Sequence, residues 1–212
     1  MTDILPAVDP VRLNADEYAA VERLLATSAW ALPHVHQVAH LAARLFDALR
    51  PYHACGGDAE RMLVAAALLH DVGYPTDPKK HHKVSARLIR TMLGPPFSAQ
   101  EAELIAVIAR YHRKGCPKLR HKRYGALTPE DRRTVNWLGG MLRVADGLDR
   151  AHDSAVGGIA AAPHDGRLIL RVHPAGATPR PGSVLHENVA GAMRKRDLLE
   201  KALGLSVTVR AG

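Results

Sequence analysis

Aromatic side chains are scarce in this chain: two Phe, two Trp and five Tyr make up 4% of 212 residues. With Trp137 expected in the core and Trp30 alone elsewhere, no cluster is left for stacking on a nucleic-acid base or reading a ribose. Filling the interior falls to Ala and Leu, a composition that favours helices. Cysteine is almost absent too, and Cys55 and Cys116 alone make no disulfide framework, so a reducing, cytoplasmic setting is expected. No apolar run approaches the ~18 residues of a membrane span. The first residues, with Asp3 and Asp9, lack the apolar stretch of a signal peptide, so neither secretion nor a membrane partner is expected. Acidic residues are outnumbered, 21 Asp and Glu against 29 Lys and Arg, for a net charge of +8. That excess points to an anionic partner: a phosphate-containing small molecule, polyphosphate or nucleic acid.

The apolar residues that are present fall at helical spacing. Asn14 caps a first helix carrying Val21, Leu24 and Leu25, after an extended arm over residues 1–13. Pro33 opens a second helix, reaching about Leu49, whose stripe runs through Val35, Val38, Leu41, Leu45 and Phe46. Gly56-Gly57-Asp58 supplies a loop and cap for a third helix. Its residues Met62 to Leu69 are apolar without a break, as expected of a helix buried on every side. Lys79 to Lys83 lead into a fourth helix closed by Gly94, and Ser98 with Glu101 forms a capping box for a fifth. A basic loop, with Lys118, Arg120, Lys122 and Arg123, separates it from a sixth helix capped by Thr128.

From Ala155 the pattern changes: strands over Val156–Ala162 and Arg167–Val172 around His164-Asp165-Gly166, a Pro/Gly loop from Pro174 to Gly182, a helix from Val184 to Leu203, and a last strand to Arg210. The expected architecture is mainly α: a helical domain over residues 1–154 with a small α+β appendage, hairpin, helix and final strand, over residues 155–212.

Polar residues interrupt the apolar faces at particular points. His34 lies on the edge of the second helix's stripe. His70-Asp71 follows the buried third helix. His81 and His82 open the fourth, His112 continues the face of the fifth, and Asp146 sits four residues after Leu142 in the sixth. Imidazoles and carboxylates brought inward from separate helices are what a bundle-core metal site is built from. A buried carboxylate or imidazole also needs such a partner. The adjacent His81 and His82 cannot be told apart by spacing.

The segments His34-Val35-His36-Gln37-Val38-Ala39, Leu68-Leu69-His70-Asp71-Val72-Gly73, His81-His82-Lys83-Val84-Ser85, Ile108 to Lys114 and Arg143 to His152 resemble the HD superfamily of metal-dependent phosphohydrolases. In detail they resemble the C-terminal HD-type domain of the exopolyphosphatase/guanosine pentaphosphate phosphohydrolase (Ppx/GppA) family. The resemblance spans residues 30–155. It implies an HD-domain helical bundle in which His34, His70, Asp71 and Asp146 are metal ligands and His81 and His112 complete a second position. Val84 stands where the related pattern often carries a further histidine.

The resemblance further implies hydrolysis of a phosphoester or phosphoanhydride, in a nucleotide, (p)ppGpp or polyphosphate-like substrate, at one or two divalent ions. Mixed nitrogen and oxygen donors suit Mn, Fe, Ni or Zn. Asp71, Arg113 and Lys114 are the expected catalytic residues. Lys80, Lys83, Arg110, Arg113 and Lys114 are expected to contact phosphate, and Asp149 with Arg150 to support the ligands. The chain leaves no room for the acetate-kinase-like domains that carry the phosphatase site in full-length relatives, so exopolyphosphatase activity is not expected to transfer. The competing expectation is a non-catalytic module that binds polyphosphate, (p)ppGpp or nucleic acid on its basic surface. A homodimer is compatible with either.

Overall fold

The computed structural model describes residues 12–28, 31–176 and 185–212. The expected N-terminal arm up to residue 11, Trp30, and residues 177–184 with most of the Pro/Gly loop and Val184 lie outside the described residues. The elements are α1 (Ala15–Leu25), α2 (Leu32–Ala48), α3 (Gly57–Leu69), α4 (His81–Met92), α5 (Ala99–Arg110), α6 (Lys122–Gly125), α7 (Pro129–Leu148), β1 (Val156–His164), β2 (Arg167–Pro174), α8 (Leu185–Lys195), α9 (Asp197–Leu203) and β3 (Ser206–Ala211).

Capping residues set the starts. The Asn14 side chain accepts from the Glu17 backbone, and Glu17 returns to the Asn14 N–H, each at 3.0 Å. Ser98 and Glu101 form the same reciprocal box, and Thr128 Oγ1 accepts from Asp131 N at 3.0 Å. Each satisfies backbone donors that a helix start leaves free. At α3 the cap position falls to Gly56, without a side-chain bond.

The middle of the molecule is α3. Met62 through Leu69 are buried all round, with α1, α2, α5 and α7 packed about them. Phe46 and Leu45 of α2, Ile105 and Ile108 of α5, and Leu138 and Met141 of α7 are fully buried around the same centre. Each such side chain contributes ~1.5–3 kcal/mol of burial. Among the described residues no helix is long and apolar enough to cross a membrane.

Downstream of α7 the three strands form one sheet in the order β1-β2-β3. β1 and β2 are antiparallel, while β3 runs parallel to β2. A parallel pair needs a crossover, and α8 with α9 supplies it. Gln37 Nε2 of α2 donates to the Val156 carbonyl at 2.6 Å, pinning the start of the sheet to the bundle.

Two expectations are corrected. The basic loop ends in a short helix, α6, rather than running unstructured to Thr128. The single helix expected up to Leu203 is two, α8 and α9, joined at Arg196. The physical reason lies at the end of α8: Arg196 Nη1 donates to the Met193 carbonyl and Arg143 Nε to the Lys195 carbonyl, so guanidinium groups take the last acceptors of that helix. Arg143, buried within α7, also donates to the Gly115 carbonyl at 3.2 Å and pairs with Asp197 at 2.6 Å. One side chain thereby fastens α7 to the loop after α5 and to both C-terminal helices.

Candidate metal centre

Five segments deliver six polar side chains to one point. His34 stands in the first turn of α2, His70 caps the end of α3 with Asp71 next to it, and His81 opens α4. His112 follows the end of α5, and Asp146 occupies the last turn of α7. Three helix C-termini, those of α3, α5 and α7, thus meet here. Their partial negative charge favours a cation. The approach of α4 depends on Gly73, where a Cβ would fall 2.5 Å from Ser85 N. The Gly73 N–H donates to Ser85 Oγ at 2.9 Å, which seats the first turn of α4 against Asp71.

The hydrogen bonds on the outer ring nitrogens decide what the inner ones offer. His70 Nδ1 lies 2.7 Å from the Ala67 carbonyl, His81 Nδ1 2.8 Å from the Pro78 carbonyl and His112 Nδ1 2.7 Å from the Ala109 carbonyl. In each case the acceptor is three residues back. A carbonyl only accepts, so Nδ1 carries the proton and Nε2 keeps a lone pair. His34 Nδ1 donates to Asp149 Oδ2 at 2.8 Å, with the same consequence.

The four Nε2 atoms face the two carboxylates. Asp71 Oδ1 is 3.3 Å from His81 Nε2 and 3.5 Å from His112 Nε2, while Oδ2 is 3.7 Å from His70 Nε2. Asp146 Oδ1 is 3.7 Å from His34 Nε2. His81 and His112 bring their Nε2 atoms to 3.1 Å. Two lone pairs do not bond each other. The separation matches the ~3.0–3.4 Å expected of two nitrogens ~2.1 Å from a shared ion. Buried His70 Nε2 and Asp71 Oδ1 have no hydrogen-bond partner, and an orphaned buried acceptor of that kind is costly unless something pairs with it.

Among the described residues three groups could hold an ion: His34, His70 and Asp71; His70, His112 and Asp146; and Asp71, His81 and His112. The donors fit a divalent transition ion in number, type and protonation. His82 belongs to none of the three groups. Burial, with Arg110, His81, Arg113 and Lys83 nearby, pushes its pKa down to about 4.

The low pKa of His112 agrees with its neutral tautomer. Burial, with His70 alongside, pushes His112 down to about 3, which keeps its ring neutral at physiological pH. Burial alone would raise Asp71, but His70, His112 and His81 outweigh it and hold its carboxyl below the usual range. Burial acts on Asp146 in the same direction and is overcome by Lys195, His70, His112 and His34. Burial lowers His34, yet its bond to Asp149 and the charge of Asp146 leave it raised.

Support comes from the loop after α7. Asp149 is fully buried and accepts from both His34 Nδ1 and Ser154 N, the latter at 2.9 Å. His152 stacks flat on His34, ring centroids 4.0 Å apart and 2° from parallel. His152 and Ser154 hold positive φ of 54° and 50°, in the sparsely populated left-handed region. Asn188 of α8 braces that loop by accepting from Ala151 N and donating to Asp153, both at 2.9 Å. Arg150 is exposed and makes no ion pair among the described residues. An Asp149→Asn variant keeps the size but leaves one oxygen for two donors. Its metal affinity is expected to fall ~10–100-fold, the usual cost of losing such a partner, measured by titration against a competing chelator.

The basic residues divide. Arg113 donates to the Lys79 carbonyl, latching the loop after α5 onto the turn before α4. Lys80 and Lys114 are exposed nearby, whereas Lys83 and Arg110 line a separate cleft containing none of the six candidate ligands. One charged side chain at the centre was not anticipated from sequence: Lys195, the last residue of α8, places its ammonium on Asp146 Oδ2. Nothing in its spacing marks it, because its position depends on how α8 packs across α7. The sequence did place His152 inside a segment of the resemblance, without a role.

No curated protein matches the sequence. A family model described as Ppx/GppA phosphatase, domain III, matches residues 19–161, about two thirds of the chain and a range within which all six candidate ligands fall. This chain belongs to the Ppx/GppA phosphatase domain III family.

Proposed function

We propose that the protein is an HD-type, metal-dependent phosphohydrolase acting on a phosphoester or phosphoanhydride at this centre. The observation that carries the reading is the convergence of four Nε2 lone pairs on two ionised carboxylates, with each Nδ1 committed to an acceptor. A structural histidine cluster would have no need to present lone pairs to one another. His34, His70, Asp71 and Asp146 would hold one divalent ion, and Asp71, His81 and His112 a second. A divalent ion there would serve as a Lewis acid toward phosphoryl oxygens and would acidify water.

The chain's own residues do the rest. Asp71 offers one oxygen to each group of imidazoles. Asp149 and His152 hold the His34 ring in plane. Lys195 holds its ammonium on Asp146 at the centre and is suited to face a phosphoryl oxygen as charge develops on it. Arg113 and Lys114 stand at the rim beside His112. The substrate class rests on the family relation and on the excess of positive charge.

The test is elemental analysis of purified wild type, His70→Ala and Asp146→Ala, followed by a phosphoester screen with the metal found. Bound transition ions that both variants lose, with metal-dependent turnover, support the reading. Folded, metal-free wild type after incubation with Mn²⁺ refutes it. Lys195→Met separates binding from chemistry. It removes a cation competing for Asp146, so metal affinity is expected to hold or rise while turnover falls ~100-fold or more. Unchanged turnover would remove Lys195 from the machinery.

A further inference from the structure

Outside the metal centre, a cleft of about 350 Å³ opens between α4, α5 and α6. Lys83 and Arg90 border it from α4, Arg110 from α5, and His121, Lys122 and Arg123 from the segment that forms α6. That is five permanent cations. Among the described residues the one carboxylate paired with any of them is Glu103, which bonds Arg90 and lies 3.7 Å from Arg123. Among the described residues Lys83, Arg110 and Lys122 have no carboxylate partner.

Arg110 is the telling member. Its guanidinium is partly buried and lies 5.6 Å from the Tyr111 ring centroid, and no described residue accepts a hydrogen bond from it. A guanidinium presents a fork of donors, and burying part of it without an acceptor is unfavourable. Burial also pulls its pKa below the usual value. His121 adds a donor. Its Nδ1 accepts from the Lys118 backbone N–H at 3.2 Å and from Tyr111 Oη at 2.7 Å, so the proton sits on Nε2.

We propose that this cleft is a second anion site, built for a phosphate group carrying two or more negative charges. Repulsion among the cations is relieved by one multivalent anion, and forked Arg donors suit phosphate oxygens. A nucleobase is a poorer fit: Tyr111 already holds Arg110 on its ring and stacks with His121, centroids 5.8 Å apart and 16° from parallel. The lining shares no residue with the candidate ligand groups, so the site stands whether or not the metal centre is hydrolytic.

The probe is inorganic pyrophosphate, titrated calorimetrically into the full chain at low salt with EDTA present. Wild type is expected to bind it with an affinity that falls as salt rises. Arg110→Gln and Lys122→Gln, on different elements and each checked by thermal melt, are expected to weaken it tenfold or more, and His70→Ala less than twofold. Equal affinity in wild type and both cleft variants overturns the site, as does loss of binding in folded His70→Ala. Two sources of the phosphate then separate with Mn²⁺-loaded protein. A distal group of the substrate predicts a raised KM in Arg110→Gln for tripolyphosphate but not for p-nitrophenyl phosphate. A separate effector predicts no change for either, with pyrophosphate binding still lost.

Discussion

Asp71→Ala is expected to strip the centre of metal almost completely, whereas His81→Ala is expected to leave part of it. Asp71 is the only carboxylate in two of the three candidate groups, and its two oxygens face His70 on one side and His81 with His112 on the other. Without it those groups hold imidazoles alone. The remaining carboxylate, Asp146, is already engaged by Lys195. The fall in affinity should therefore exceed the ~10–100-fold that loss of a merely supporting residue costs. His81→Ala touches only one group and leaves His34, His70, Asp71 and Asp146 in place. The fold is expected to persist in both variants, because His70 and His112 keep their backbone bonds. Metal content and circular dichroism on the same samples check both halves. Equal metal content in wild type and Asp71→Ala would place the ion elsewhere.

The second large effect concerns packing rather than chemistry. In Gly147→Ala, a Cβ on α7 would stand 2.6 Å from Ala192 N and 2.7 Å from both Ala192 Cα and Gly191 C of α8. These are backbone atoms and cannot rotate away, so the two helices must separate. Overpacking of that kind costs about 2–3 kcal/mol, and for a chain of this size it lowers Tm by about 4–12 °C. Gly57→Ala is the control: its Cβ would meet nothing within 4 Å, at the exposed start of α3. It is expected to leave Tm unchanged or raise it slightly, since Ala is the better helix former. The consequence of Gly147→Ala extends to the centre. Lys195 reaches Asp146 only because α8 lies backbone to backbone on α7 at Gly147 and Gly191. A melt that matched wild type would show that the contact is not tight.

Three helix starts were legible in the sequence because capping is local. Asn14, Ser98 with Glu101, and Thr128 each bond a backbone group within three residues. The unbroken apolar run of α3 was legible for a related reason: eight residues with no polar face have nowhere to go but inward. His34, His70, Asp71, His112 and Asp146 could be singled out because each interrupts an apolar pattern, and the i−3 carbonyl bonds of His70, His81 and His112 are themselves short-range.

Other features had no local signature. His81 and His82 are adjacent, and only the seating of α4 on Gly73 turns His81 toward Asp71. The break at Arg196 depends on Arg143, some fifty residues earlier, taking a carbonyl of α8. The sequence by itself thus determined a helical body with inward histidines and aspartates, because caps, apolar periods and i−3 bonds act over one helical turn. Only the tertiary structure decided which of those groups meet, that Lys195 joins Asp146, and that Lys83 and Arg110 line a cleft of their own. Those outcomes follow from where one helix lies on another, and backbone approach at single glycines sets that.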